Sequence, residues 1–217
     1  ATGQSFKITN YRRVIGVAAN ASRIEQTRTP NFPYFQGQAA QRSNTGVDGD
    51  IGYSIAPNGA AARVSEVVTR DRRVEMFHHP VAAIRAALEP GAKLANVHST
   101  DRERVVDVTT ATGVTFTVAT DASTHLPTRV VSMVNNPNLG DVAIETSFSD
   151  YQDVKGWKLP SRLTTKTDKY TTADITLTRQ TVDGDAGDLA APKAAAAAAA
   201  ITGPPPATVT AEEISKG

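Results

Sequence analysis

From about residue 100 to residue 182 the chain alternates, and that alternation constrains the fold more than any other feature of the sequence. In "VTFTVAT", Val114, Phe116 and Val118 fall on one side and Thr115 and Thr117 on the other. In "DVAIETSFSDY", Val142, Ile144 and Phe148 share a face with Thr146; in "ADITLTRQT", Ala173, Ile175 and Leu177 alternate with Asp174, Thr176 and Thr178. Successive strand side chains point to opposite faces. Period two with many β-branched residues therefore predicts half-buried antiparallel strands with one wet face. The breaks carry turn chemistry: Thr112-Gly113, Asp121-Ala122-Ser123, Asn135-Asn136-Pro137-Asn138 and Lys155-Gly156. With no helix between them, these strands form a meander.

The N-terminal third reads differently. Phe6 to Glu25, with Ile8, Tyr11, Val14 and Ile15, has partly helical spacing and is expected as a helix running into a strand. "RIEQTRTPNFPYFQGQAAQRS" is expected as an edge strand and a long loop, because Pro30, Pro33 and Gly37 interrupt it. Asp48-Gly49 marks a turn, Ile51 to Ile55 a short strand, and Pro57-Asn58-Gly59 another turn. One helix is well marked in "HHPVAAIRAALEPG": Pro80 suits the first helical position, Val81, Ile84 and Leu88 form an apolar stripe, and Pro90-Gly91 closes it. The fold class is thus mainly β (α+β), a curved antiparallel sheet in a half-open barrel with one or two covering helices.

After Asp183 the composition turns to Ala, Gly, Pro and acid. The run Ala194 to Ala200 is long enough for one or two marginal helical turns, and Pro204-Pro205-Pro206 is a stiff spacer. The division expected is a β domain over 1–183 and a flexible Ala/Pro linker over 184–217, leading toward a further domain.

Composition excludes some chemistry. With a net charge of +1, and Arg70, Arg72 and Arg73 diluted by Asp71 and Glu75, there is no basic stripe for nucleic acid. The absence of cysteine removes disulfides, thiol nucleophiles and Cys-built zinc sites. No apolar run reaches the roughly 20 residues of a membrane helix. The opening "ATGQSF", without Met, is what either a removed signal peptide or a trimmed chain leaves, and a periplasmic or secreted protein is the expectation.

Candidate catalytic groups each have a plainer structural role. His78 and His79 are the metal candidates, but adjacent helical residues cannot both face one ion and no ligand follows at i+3 or i+4. The plain reading has His79 capping the helix and His78 packed or solvated. His98 and His125 are isolated. There is no Gly-x-Ser-x-Gly elbow, phosphate loop or dinucleotide fingerprint. Asp150 and Asp153, beside a turn, read as solvated carboxylates, since general-acid work needs burial. Tyr151 and Trp157 read as a cross-strand clamp on the hairpin, and Pro160 makes its strand locally an edge or bulge. No catalytic residue is assigned.

What remains is the apolar face. A curved sheet under one helix forms a concave surface that is either a filled core, the reading the sequence favours, or a pocket for a hydrophobic ligand. Phe116, Val118, Val131, Met133, Ile144, Phe148, Ile175 and Leu177 line either one.

Two resemblances follow from these residues. "GVDGDIGYSI" and "FSDYQDVKGWKLPSRL" resemble the turn-and-strand unit and the late hairpin of the LolA/LolB-like half-barrel, in which one curved antiparallel sheet covered by helices holds acyl chains. "VEMFHHPVAAIRAALEPGAKL", "VVDVTTATGVTFTVATDASTHLPTRVVS" and "NLGDVAIETSFSDYQDV" are similar to the region preceding a metallo-β-lactamase-fold hydrolase domain in bacterial exported proteins. That hydrolase's His-x-His-x-Asp-His zinc motif is absent. This resemblance implies a non-catalytic accessory domain with no cofactor of its own, any zinc belonging to a downstream or partner hydrolase. Two alternatives stand beside it: a stand-alone periplasmic carrier of lipid or lipoprotein acyl groups, and a self-contained metal-dependent hydrolase.

Overall fold

A computed structural model describes residues 5–31, 39–136 and 140–203. The fold is mainly β: two antiparallel meander sheets, neither closed on itself, joined by two helices. The first sheet comprises β1 (Phe6–Gly16), β2 (Ala21–Pro30), β3 (Gln41–Asp48), β4 (Ile51–Ile55) and β5 (Ala61–Arg63). Then come α1 (Glu66–Phe77) and α2 (Pro80–Leu88). The second sheet is β6 (Lys93–Ser99), β7 (Glu103–Thr109), β8 (Thr115–Asp121), β9 (Pro127–Asn136), β10 (Gly140–Val154), β11 (Trp157–Thr167) and β12 (Tyr170–Thr176), each strand paired with its sequence neighbours. A short helix, α3 (Lys193–Ala197), follows.

The seven-stranded meander is the one the alternation predicts, and the hairpin at Lys155-Gly156 turns through two left-handed residues. Of the turn expected at Asn135 to Asn138, residues 137 and 138 lie outside the described residues. Pro160 sits beyond the last β11–β12 pair, so its missing N–H breaks no ladder there. The expected clamp is not made: Tyr151 lies opposite Pro160 and Trp157 opposite Val154, and the Tyr151 hydroxyl instead donates to the Pro127 carbonyl at 2.6 Å.

The expected helix over Phe6 to Glu25 is a hairpin. Asn10 adopts a left-handed conformation (φ 52°), and the β1–β2 register shifts between Thr9 and Arg12. A bulge inserts one extra residue, so the apolar spacing of a bulged strand drifts toward helical. Strand β2 is also not an edge, because it pairs with both β1 and β3. The long loop expected after it falls largely on 32–38, outside the described residues.

Helix α1 was not expected at all. Ser65 caps it, its Oγ accepting from the Val68 N–H at 3.4 Å, and Glu66 occupies its first turn. Of the arginines read in the sequence as a diluted basic cluster, Arg73 pairs with Asp50 at 2.7 Å and Arg72 ties the helix to the first sheet. Arg72 donates to the Gly46 carbonyl at 3.2 Å, to the Tyr53 carbonyl and to Ser54 Oγ at 3.0 Å. The other side of the N-terminal sheet is covered by the segment expected as linker. Tyr53, fully buried, donates its hydroxyl to the Leu189 carbonyl at 3.3 Å, and Asp48 accepts from the Ala191 N–H at 2.9 Å. Ala195 in α3 is buried, Arg63 donates to the Ala198 carbonyl, and Ile201 bridges Ser65. From Leu189 to Ala198 this segment is packed against the first sheet, and Ile201 meets the start of α1; Pro204 to Pro206 lie outside the described residues.

Candidate functional site

The inner face of the seven-stranded sheet is the site to test. Val106 and Val108 on β7 pair with Val118 and Phe116 on β8, and Val118 in turn with Val130 on β9; Phe148 on β10 pairs with Leu163 on β11. These residues and Val114 form one cluster with Met76 and Phe77 of α1 and Ala82, Ala83 and Ala86 of α2. Phe77 stacks on Phe116 with ring centroids 5.0 Å apart and planes 17° from parallel. Among the described residues the hollow is filled, and what fills it is the elbow between the two helices.

Of the eight lining residues read from the sequence, Phe116, Val118 and Phe148 are buried in this cluster, and Leu177 packs at its margin. Ile144 and Ile175 share the inner face and are half-buried, Ile144 opposite Ser132 and Ile175 opposite Leu163. Val131 and Met133 are on the other face: Val131 pairs with Thr117 and Glu145, and Met133 is 62% exposed. In "VVSMV" both parities contain apolar residues, so apolarity alone does not choose a face, and the inner positions are Val130 and Ser132.

Helix α2 has the expected bounds, with Pro80 in its first turn and His79 as N-cap. His79 makes no side-chain capping bond, and the helix's orientation is not the one expected. Ala82, Ala83 and Ala86 are buried, Val81 and Ile84 are half-buried, and Leu88 is 77% exposed. The bulky Met76 and Phe77 occupy the space beneath the elbow, and the next helix buries small residues there, Pro80 and the three alanines, with Ile84 packed at the margin.

His78 is the functional-looking residue that the sequence showed without its surroundings. It is the C-cap of α1 and is 4% exposed. Its Nδ1 lies 2.9 Å from Thr146 Oγ1 and its Nε2 2.9 Å from Ser132 Oγ; Thr146 Oγ1 is in turn 3.0 Å from Thr165 Oγ1. Both ring nitrogens are thereby occupied, which leaves neither for a metal. Among the described residues no three His, Asp or Glu side chains converge as a metal site. Burial, then the Arg13 guanidinium, lowers the His78 pKa to about 4. Arg13 reaches from β1 to the carbonyls of Glu75 at 2.5 Å, Met76 at 3.4 Å and His78 at 3.2 Å, closing the C-terminus of α1 as a cation does. Its Nε is buried and has no hydrogen-bond partner among the described residues.

The remaining candidates serve local structure. Asp153 accepts from the Gly156 N–H at 2.9 Å and pairs with Lys158 at 3.3 Å, which hold its carboxyl below the usual range; Asp150 is exposed in a left-handed conformation. A polar surface recess lies between Thr100, Asp101, Arg102, Glu103, Asp121 and Thr128. There Asp121 Oδ1 accepts from the backbone and hydroxyl of both Ser123 and Thr124, and Glu103 accepts from Thr128 and Arg129. Those bonds push both carboxyls down, the Thr124 N–H leading for Asp121 and Arg129 for Glu103. His98 and His125 are exposed and lie in separate segments. No described helix is long and apolar enough to cross a membrane.

No family model and no curated protein matches the chain. A search of solved structures finds a likeness to the crystal structure of LolA superfamily protein NE2245 from Nitrosomonas europaea. It covers 85% of this chain and 88% of that one at 11% identity, with a TM-score of 0.39. A likeness at that score carries no argument about fold or function.

Proposed function

We propose that this chain is a binding domain that takes up an apolar group, such as an acyl chain, between the inner face of the seven-stranded sheet and α2, and that it works outside the cytoplasm. The observation that supports this is the nature of the cover. Three alanine methyl groups and the Pro80 ring are the fully buried parts of α2, over a surface of Phe116, Val118 and Phe148, while Val81 and Ile84 stay half-buried and Leu88 is exposed. At about 0.8 kcal/mol per buried carbon, the three methyls contribute only about 2–3 kcal/mol, which an incoming acyl chain with many more carbons can replace.

A second reading is docking against a partner, with a metallo-β-lactamase-fold hydrolase as the partner implied by resemblance. The filled core beside exposed Leu88, Leu94 and Val97 favours it. One experiment separates the two. Palmitate at about a hundredfold over its dissociation constant is expected to stabilise a binding domain by about 2.7 kcal/mol, a rise in melting temperature of roughly 5–10 °C. No shift with palmitate, and no displacement of a polarity-sensitive dye, would remove the acyl-binding reading and leave the docking one.

A further inference from the structure

Where His78 enters the inner face, that face is lined by hydroxyls. Ser132 and Thr146 are each 3% exposed and both turn their hydroxyls to the imidazole, with Thr165 behind Thr146. Buried hydroxyls need partners, and here the partner is the residue joining two helices that otherwise meet the sheet through apolar contacts. We propose that His78 is a latch fastening the α1–α2 elbow to the inner face, and that taking up a proton there releases the elbow and uncovers the hollow. The proposal rests on the reading of that hollow as the binding site.

The geometry makes the latch sensitive to charge. A neutral imidazole donates through one nitrogen and accepts through the other, and rotatable hydroxyls satisfy either tautomer. An imidazolium could keep both bonds, since hydroxyls also accept, but its charge would be buried with no carboxylate bonded to the ring. The charged groups around the elbow do not compensate. From β1, Arg13 donates to the His78 carbonyl and repels a cation. From α1, Glu75 is exposed and its carbonyl is already bound to Arg13. His79, leading into α2, is likewise pushed down by burial and Arg13. Strands β9 and β10 offer Ser132 and Thr146, which are neutral.

The sign follows from linkage. His78 titrates near 6.5 when free and at about 4 when latched, so the released state binds more protons between those values. Latching is complete above about 6.5 and is lost as the pH falls toward 4. Between about pH 7.5 and about pH 5 the released-to-latched ratio is expected to rise about 30-fold.

The test uses the full chain and no ligand. Hydrogen-exchange protection of the α2 amides, corrected for intrinsic pH dependence, is followed across that window in the wild type, His78→Gln and His79→Gln. The expected result is an acid loss of protection larger than that in the wild type, of about that size in His79→Gln, where only the latch titrates, and smaller than the wild type's in His78→Gln, where His79 alone remains. A flat wild type, or a His78→Gln profile that matches it, overturns the latch. Should His78→Gln fail to fold, NMR titration of the wild-type ring decides. A ring midpoint near 4, with α2 protection falling in the same window, supports the latch; a midpoint near 6.5 with α2 still protected overturns it. Palmitate binding at both pH values keeps the two readings apart. Acid opening without palmitate binding leaves the latch and sinks the carrier, and palmitate binding without acid opening does the reverse.

Discussion

The five-stranded sheet and the seven-stranded sheet hold the helical elbow by different means. Against the seven-stranded sheet the contact is largely side chain on side chain: Phe77 on Phe116, with Met76, Ala82, Ala83 and Ala86 over Val118 and Phe148. Against the five-stranded sheet it is largely side chain on backbone. Arg72 and Arg13 reach carbonyls, and the Thr69 hydroxyl accepts from the Gly52 N–H at 3.2 Å. The first kind of contact is non-directional and allows sliding and lifting; the second is directional and fixes position. Helix α1 is therefore anchored to the N-terminal sheet by directional bonds, and α2 is held on the C-terminal one by the non-directional kind of contact.

The comparison is tested hardest by Phe116→Ala. Phe116 is 3% exposed and stacks on Phe77, so truncation leaves a cavity under the elbow and is expected to cost about 3–5 kcal/mol. Urea denaturation reads the loss. A cost below about 1 kcal/mol would mean that the elbow is already loose there and that the contrast between the two sheets is overstated.

Gly46→Ala probes the other sheet at a smaller expected cost. Gly46 pairs with Tyr53 across β3 and β4, and a Cβ built on it would meet the Tyr53 ring carbon Cζ at 2.4 Å. The ring is fully buried and its hydroxyl is tied to Leu189, so it has little room to yield. Overpacking of this kind costs about 1–3 kcal/mol, and the strain should pass to the docked segment. Limited proteolysis near Leu189 is expected to accelerate. A neutral substitution with unchanged proteolysis would show that the segment is held by something other than Tyr53.

The two sheets also differed in how legible they were. The seven-stranded meander was readable because its inner positions carry Val, Phe and Leu at period two with turn residues between. The five-stranded sheet hides that signal. The Asn10 bulge breaks the period in β1, and β2 carries Arg23, Glu25, Gln26 and Arg28 within ten residues, so an interior strand reads as polar. Helix α1 is hard to read because its arginines look like a surface cluster until the carbonyls that Arg72 binds are seen. The candidate site was half legible. Phe116, Val118 and Phe148 follow from alternation, which also sets Thr146 on their face, but Ser132 and Thr165 are the kind of residue that a hydrophobic pattern assigns to solvent. The inward turn of His78 depends on a helix C-cap in one segment and hydroxyls some sixty residues away.

The smallest expected effect settles the parity of β9, where the sequence pattern was ambiguous. Met133→Ser alters an exposed side chain on the outer face, and such surface changes stay within about 0.5 kcal/mol. Val130→Ser, three residues earlier, places a hydroxyl among Val118, Phe77 and Phe148, where it has neither water nor an apolar group's contacts. Burying an unpartnered hydroxyl costs about 1–3 kcal/mol in proteins, added to the lost methyl groups. The pair thus has opposite outcomes from one strand, read by the same urea midpoint. Equal losses would mean that both faces of β9 are covered, and α2 would then be only one of two covers on this sheet. A larger loss at Met133 would invert the inner and outer faces, detaching His78 from Ser132 and leaving the latch without its partner.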